Sequence, residues 1–494
     1  MPNTRLWFAM FAVAVAMLTP GLAEAKWLKA ETPRFIVYGE GDANGLRDYA
    51  EKLEIFDSIL RHAHGMDVAG VPPRKLEIYL VRDNRELREV APELRETIAG
   101  FYLASQGDIF AMAIRDTEPD FVVLHEYAHH FMLQYFPYGY PAWLIEGYAE
   151  YFMNTTIRGD KVEVGRPNNV RAQSLIHARW MPMADILSKT TSQIKSGDMD
   201  GFYAQSWALT HYLMTDPARY KQLQTYMKAV GAGGDPVKTM QEITGQDPVA
   251  LEKTLRAYAR GRLNYTTYTR KGFAKAQATV TPLPESADDL LLAYQRMRRG
   301  MSDSEGEAFV KTVVRPRAAR HSGDRFADLT LAYGEVWFGD RAAGEAILQR
   351  LITADAKDAA ALQLLGISRI NQVEDDPDKA EALLKEAGRY LARAHAARPG
   401  DYKTLSYYAV TRQTEADYPS ENTLNTLSNA YELAPQVGGI RMQFARALML
   451  GKEWDEARVV LTPLANDPHG GGGAEMARSL LKEIEAEASK PGNK

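Results

Sequence analysis

The sequence predicts an α+β domain followed by an all-α solenoid of helical hairpins. Three observations carry this prediction. Short apolar runs alternate between strand and helix spacing up to about residue 115, residues 117–265 turn mainly helical, and the Ala-, Leu-, Arg- and Glu-rich remainder repeats paired helices. At 494 residues the chain exceeds one ordinary core, and two or three domains are expected. A hydrophobic share of 45% with 25% charged residues is that of a globular protein, which excludes global disorder. The formal net charge of −5 and the lack of any charge run give no support to nucleic-acid binding.

The N-terminus differs from everything after it. Arg5 precedes an apolar stretch from Leu6 to Leu18, then Pro20, Gly21 and the small-residue site Ala23-Glu24-Ala25. This is the pattern of a secretory signal peptide over residues 1–25, with cleavage expected before Lys26. The apolar run is too short to span a bilayer comfortably, and no later stretch approaches that length, so no transmembrane segment is expected after cleavage. Export is the expectation: periplasmic in a Gram-negative source, secreted otherwise. The chain contains no cysteine, which excludes disulfides, thiolate ligands and a cysteine nucleophile. Any chemistry rests on His, carboxylate, Ser or Tyr.

From Pro33 the elements follow in order. Arg34 to Tyr38 is strand-like, and Leu46, Tyr49, Leu53, Phe56 and Leu60 recur at helical spacing. Lys75 to Val81 alternates as a strand does, Asp83 with Glu86 forms a helix-starting capping box, and two apolar runs flank Ser105-Gln106-Gly107 as an edge hairpin would. Thr117 and Asp120 can cap a helix running to about Phe136, Pro137 to Pro141 breaks it, and a second helix covers roughly Ala142 to Asn154. Further helices are expected near 202–215, 217–230 and 248–263, with Gly272 to Ser286 as a linker holding Pro282 and Pro284.

Beyond the linker, Ala327–Ala356, Ala359–Pro399, Tyr402–Pro435 and Ile440–Pro468 each divide into two helices. Pro399 to Pro435 is 36 residues and Pro435 to Pro468 is 33, close to the roughly 34-residue tetratricopeptide (TPR) period. Gly366, Ala445 and Ala457 fall where such a repeat needs small residues, and the second unit carries an insertion around Val373 to Asp378. Units of this kind cannot bury their apolar faces alone and must stack. The Gly470 to Gly473 run reads as a flexible connector.

The decisive segment is Phe121-Val122-Val123-Leu124-His125-Glu126-Tyr127-Ala128-His129-His130-Phe131. Histidines four apart share one helix face, so both imidazoles can reach one zinc ion, and Glu126 beside them can take a proton from water. The flanks are apolar nearly all round, which buries the helix and leaves the His, Glu and His stripe needing partners or a metal. His130 points about 100° away from His129 and packs elsewhere. A catalytic zinc wants three protein ligands and an open position. The next helix offers Glu146, seventeen positions after His129, and Glu150 one turn later on the same face. Spacing leaves open which carboxylate binds metal; Glu150 is also placed to orient a ligand histidine through a hydrogen bond.

HEYAHH followed by PAWLIEGYAEY resembles the gluzincin peptidases of the MA clan, in particular the family sharing the catalytic core of the M1 aminopeptidases. The resemblance covers roughly residues 33 to 265. It implies a zincin-like catalytic domain, a Zn2+ cofactor, and Glu146 as third ligand beside His125 and His129, since a glutamate in a WLxEG segment has that role in the family. Phe202-Tyr203-Ala204-Gln205-Ser206-Trp207-Ala208-Leu209 is similar to the segment whose tyrosine donates to the oxyanion, which points to Tyr203. His211 is a weaker donor candidate. The chain departs from the M1 pattern before the HExxH: Ala99-Gly100-Phe101-Tyr102 and Asp108 to Ile114 hold no GxMEN-type segment to capture a free amine. An endopeptidase that lines its substrate along this edge strand is therefore expected.

The expected organisation is a signal peptide over 1–25, a zincin-like domain over 26–271, a linker over 272–287 and a TPR-like helical domain over 288–494. The expected activity is hydrolysis of a protein or peptide substrate, with the repeats recruiting substrate or a partner protein. A non-catalytic TPR scaffold or chaperone with a structural or inactive metal site is the alternative, and a hydrolase of non-peptide amides shares the same residues. His62, His64, His177 and His321 lack ligand-like spacing, and no convincing GxSxG, Walker or GxGxxG segment occurs.

Overall fold

The computed structural model describes residues 26–115, 121–273, 276–466 and 472–488. The signal-like segment, the cap candidates Thr117 and Asp120, and Pro468 lie outside them. Among the described residues no helix is long and apolar enough to cross a membrane.

The first part of the chain folds as a mixed sheet with helices on both faces. Its early elements are β1 (Trp27–Glu31), β2 (Phe35–Glu40), α1 (Ala43–Ala63), β3 (Leu76–Val81), α2 (Asn84–Val90), β4 (Gly100–Ala104) and β5 (Ile109–Ile114). Asp42 caps α1 by accepting from the Asn44 and Gly45 amides, and Asp83 caps α2 through the Glu86 amide. The Glu86 carboxylate does not return to Asp83; it accepts from the Arg82 amide instead. The next elements are α3 (Phe121–Tyr135), α4 (Ala142–Met153), β6 (Thr156–Arg158), β7 (Lys161–Val164), α5 (Asn169–His177), α6 (Met183–Ser188) and α7 (Met199–Met214). After three further helices come β8 (Thr266–Thr269) and β9 (Thr279–Pro282).

The six-stranded sheet has the order β4-β5-β3-β2-β1-β9. β2, β3 and β5 are parallel, while β4, β1 and β9 join antiparallel. Alternation along the strands assigns the two faces. Phe35, Val37, Ile78, Leu80, Ala111 and Ala113 join the core under α1 and α3, whereas Tyr79, Val81, Phe110 and Met112 pack on α2 and the helix Ser286–Arg299. β6, β7 and β8 form a separate three-stranded sheet.

The stretch expected to be a linker is part of the sheet. β9 pairs with β1 in the register Ala30↔Val280 and Leu28↔Pro282, and the helix that follows buries Ala287, Leu291 and Leu292 on the sheet. A proline is tolerated because β9 is an edge strand with an amide position free of ladder bonding. The prolines that suggest a linker mark a sheet edge.

The remainder is a run of paired helices resembling a helical-hairpin solenoid. The pairs are Arg325–Phe338 with Arg341–Ala354, Ala359–Asp375 with Ala380–Ala397, Tyr402–Val410 with Glu421–Leu433, and Gly438–Leu450 with Trp454–Ala465. The insertion in the second pair is absorbed as extra helical length and a short 3-10 turn over Pro377–Lys379. Gly472 and Gly473, expected in a connector, open the last helix, Gly472–Ala488.

The solenoid also packs on the sheet domain. Tyr402, Leu405, Ala430, Ala434, Val437 and Ile440 belong to the same core cluster as α1, α3 and α4. Tyr402 donates to the Ser105 carbonyl at 3.1 Å and Lys403 to the Gly107 carbonyl at 3.0 Å, gripping the tip of the β4–β5 hairpin.

Candidate metal centre

α3 carries its two histidines on a helix buried along Val123, Leu124, Tyr127, Ala128, Phe131 and Met132. Burial on this scale fixes the rotation of the helix, since turning it would expose those side chains. The Tyr127 hydroxyl donates to Asp57 at 2.6 Å, which ties α3 to α1. On the other side β4 comes close at Gly100, where a Cβ would stand 2.5 Å from Val122.

The chain leaves α3 at Tyr135, turns through 136–141 and returns as α4, buried from Ala142 to Phe152. Gly147 sets the depth at which α4 sits. A Cβ there would stand 2.3 Å from Thr210 Oγ1 and 2.4 Å from the Ser206 carbonyl oxygen of α7. A larger residue would push the helices apart and carry the adjacent Glu146 with it.

That placement brings three donor groups together. His125 Nε2 and His129 Nε2 lie 3.0 Å apart, and Glu146 Oε2 stands 3.5 Å from the first and 3.4 Å from the second. Ligands about 2 Å from one ion at tetrahedral angles stand roughly 3.3 Å from one another, so the triangle is the size that a single ion requires. His129 Nδ1 is buried without a hydrogen-bond partner among the described residues. Its Nε2 faces another imidazole nitrogen, an arrangement that a shared cation would satisfy better than one proton. His125, His129 and Glu146 therefore form a cluster able to hold a metal ion.

The electrostatics agree. Burial alone would push the His125 pKa down, yet hydrogen bonding to Glu146 and the charges of Glu126, Glu146 and Glu150 raise it to about 9. Burial works to raise the Glu146 carboxyl, and the two histidines overcome it and hold Glu146 well below the usual carboxylate range. By contrast burial pushes His64, His130 and His211 down to about 4, 3 and 4. The field that favours a proton on His125 is the field that favours a cation between the three groups.

Glu150 lies behind His125, its Oε1 3.8 Å from His125 Nδ1. It is fully buried and held by Arg171, with contacts of 2.6 and 2.9 Å, and by Asn168 at 3.3 Å. Sequence reasoning missed both partners. Arg171 lies twenty-one positions after Glu150 on α5, and no local spacing connects them. Tyr203, on α7, packs its ring 5.0 Å from the same guanidinium, and burial raises its phenol above the usual tyrosine value.

His125, Glu126, His129, Glu146 and Tyr203 line one cavity of about 910 Å³. Its other walls are β4, from Gly100 to Ala104, and the turn Pro137–Tyr140. The solenoid supplies Pro435, Gln436, Arg441, Pro463 and Leu464. Four other histidines are committed elsewhere. His130 Nδ1 meets the Tyr102 hydroxyl at 3.1 Å, His64 meets Tyr148 at 2.9 Å, and His321 meets Asp289 at 2.8 Å. His211 bonds Tyr258 at 2.7 Å and the Gly165 carbonyl at 2.8 Å, which removes it as an oxyanion donor. Comparison with protein-family models gives no match to this chain, and comparison with curated proteins gives none either.

Proposed function

We propose that this chain is an exported zinc-dependent peptidase of the gluzincin type, acting as an endopeptidase on protein or peptide segments. One observation carries the reading: Glu126 opens on the same cavity as the convergent His125, His129 and Glu146. A structural metal site has no need of a carboxylate beside its open position.

A zinc ion bound there would act as a Lewis acid on the scissile carbonyl and make the attacking water more acidic. Glu126 accepts the proton of that water and passes it to the leaving amine. Tyr203 donates its hydroxyl to the developing oxyanion, a task suited to a phenol that stays protonated. Among the described residues β4 is the edge strand beside α3, and the amides and carbonyls on its outer side can hold an extended chain across the cavity. Arg171 fixes Glu150, and Glu150 steadies the ring of His125.

The test is a pair of variants. Glu126→Gln keeps stoichiometric zinc and loses hydrolysis by about a hundredfold or more, while Glu146→Ala loses zinc. Zinc content by atomic emission and chelator-sensitive cleavage of an envelope protein extract read the two results. Full activity in Glu126→Gln overturns the assignment.

A further inference from the structure

The solenoid wall of the cavity holds a cation that no carboxylate among the described residues balances. Arg441, on the helix Gly438–Leu450, is the only Arg or Lys among the described residues that line the cavity. Its side chain is buried, and it donates to the Val460 carbonyl at 3.1 Å, the Pro137 carbonyl at 3.0 Å and the Pro435 carbonyl. The Tyr431 ring lies 5.1 Å away and its hydroxyl is a further partner.

Carbonyl dipoles hold a guanidinium in place without cancelling its charge. Burial consequently pushes Arg441 below the usual arginine value, with only Tyr431 acting against it. The other buried arginines show the contrast: Arg34 and Arg61 pair with Glu54 and Asp57, and the partly buried Arg298 likewise pairs with Asp108. A buried guanidinium with no carboxylate against it among the described residues is costly unless an anion completes it.

The cavity is closed where Arg441 sits. Gln436 donates to Gln134 of α3 at 3.0 Å, Arg441 bridges to the turn after α3, and the tip of the β4–β5 hairpin is held by Tyr402 and Lys403. A chain lying along β4 meets this wall at one end.

We infer that Arg441 forms a carboxylate-binding subsite at the solenoid end of the cleft, so that the repeat region selects substrates carrying a carboxylate a short distance from the scissile bond. This rests on the peptidase reading for its placement of that bond. The carboxylate has two sources, the C-terminus of a peptide or an Asp or Glu side chain, and either can accept a charge-assisted hydrogen bond from the guanidinium N–H that the carbonyls and Tyr431 leave over.

The experiment measures binding on the zinc-loaded full-length Glu126→Gln protein, so that no turnover intervenes. The probes are dansyl-labelled pentapeptides of apolar residues with a single Gln at a varied position, in three forms: free C-terminus, amidated C-terminus, and amidated with that Gln replaced by Glu. A carboxylate form is expected to bind about tenfold or more tightly than the neutral one. Adding Arg441→Gln should bring the carboxylate peptides to the affinity of the amidated one, and Arg441→Lys should keep part of the preference. The free-acid and Glu forms tell the two sources apart. A preference that survives Arg441→Gln, equal binding of all three forms, or equal losses for charged and neutral peptides would overturn the inference. If the native zinc protein hydrolyses none of the peptides while the Arg441-dependent preference stands, the peptidase reading fails and the subsite does not.

Discussion

Two buried polar clusters meet on α3, and they are built to opposite rules. Beneath Tyr127, Arg34 and Arg61 interlock with Glu54 and Asp57, with Arg61–Asp57 at 2.7 Å and Arg34–Asp57 at 2.8 Å. Two cations face two anions, and Tyr127 and backbone carbonyls fill the remaining bonds. On the opposite face of the same turn, Glu126, Glu146 and Glu150 gather around His125 and His129, with Arg171 as the one paired guanidinium among the described residues. The first cluster is charge-balanced and closed. The second has an excess of carboxylate, two facing imidazole nitrogens and an opening to a cavity. Burial in the first is tolerated because each charge meets an opposite side chain, and in the second a cation held by His125, His129 and Glu146 would play that part.

On this contrast, unbalancing the closed cluster does most damage to stability. Asp57→Ala leaves Arg34 and Arg61 without their shared partner and is expected to cost about 3–5 kcal/mol. Chemical denaturation would read it, with zinc stoichiometry of the folded fraction unchanged. A variant that kept its stability and lost its zinc would reverse the roles assigned to the clusters.

A smaller effect is expected from Arg171→Met, which frees Glu150 behind the metal site. Loss of this charged hydrogen-bond pair is expected to cost about 1–3 kcal/mol and, by loosening His125, to weaken zinc affinity about tenfold or more. Competition with a chelator measures the affinity, and an unchanged zinc dissociation constant would remove Glu150 from the site.

Least costly is Tyr127→Phe, which removes one of the hydrogen bonds that tie the closed cluster to α3 and leaves that of Arg61 to Tyr135 in place. About 1–2 kcal/mol is expected, with zinc affinity close to native because the buried ring still packs against Phe35 and Phe56. A large fall in zinc affinity here would recast the contrast, making the closed cluster a support of the open one.

Much of the candidate site is legible in the amino-acid sequence. The i, i+4 histidines, Glu126 between them, and the return of Glu146 and Glu150 after a proline turn depend on helix geometry and a short loop, both of which are local properties, whereas the choice between the two carboxylates is not. The β4–β5 hairpin and the helical pairs are legible for the same reason. Other features are not. β1 gives no readable signal because five residues with two buried side chains show too little alternation. β9 is hidden behind prolines that are equally at home in a linker and on a sheet edge.

Which residues could share a metal ion, and that paired helices follow, can be read from the chain's letters alone. Periods of a few residues are set by backbone geometry wherever the segment ends up. It took the folded arrangement to show that β9 closes the sheet, that Arg171 reaches Glu150, and that the solenoid forms a wall of the cleft with Arg441 in it. Those pairings join segments up to some three hundred residues apart, as with Arg441 and Pro137. They depend on which surfaces remain free once local elements have formed, a quantity that no window of sequence contains.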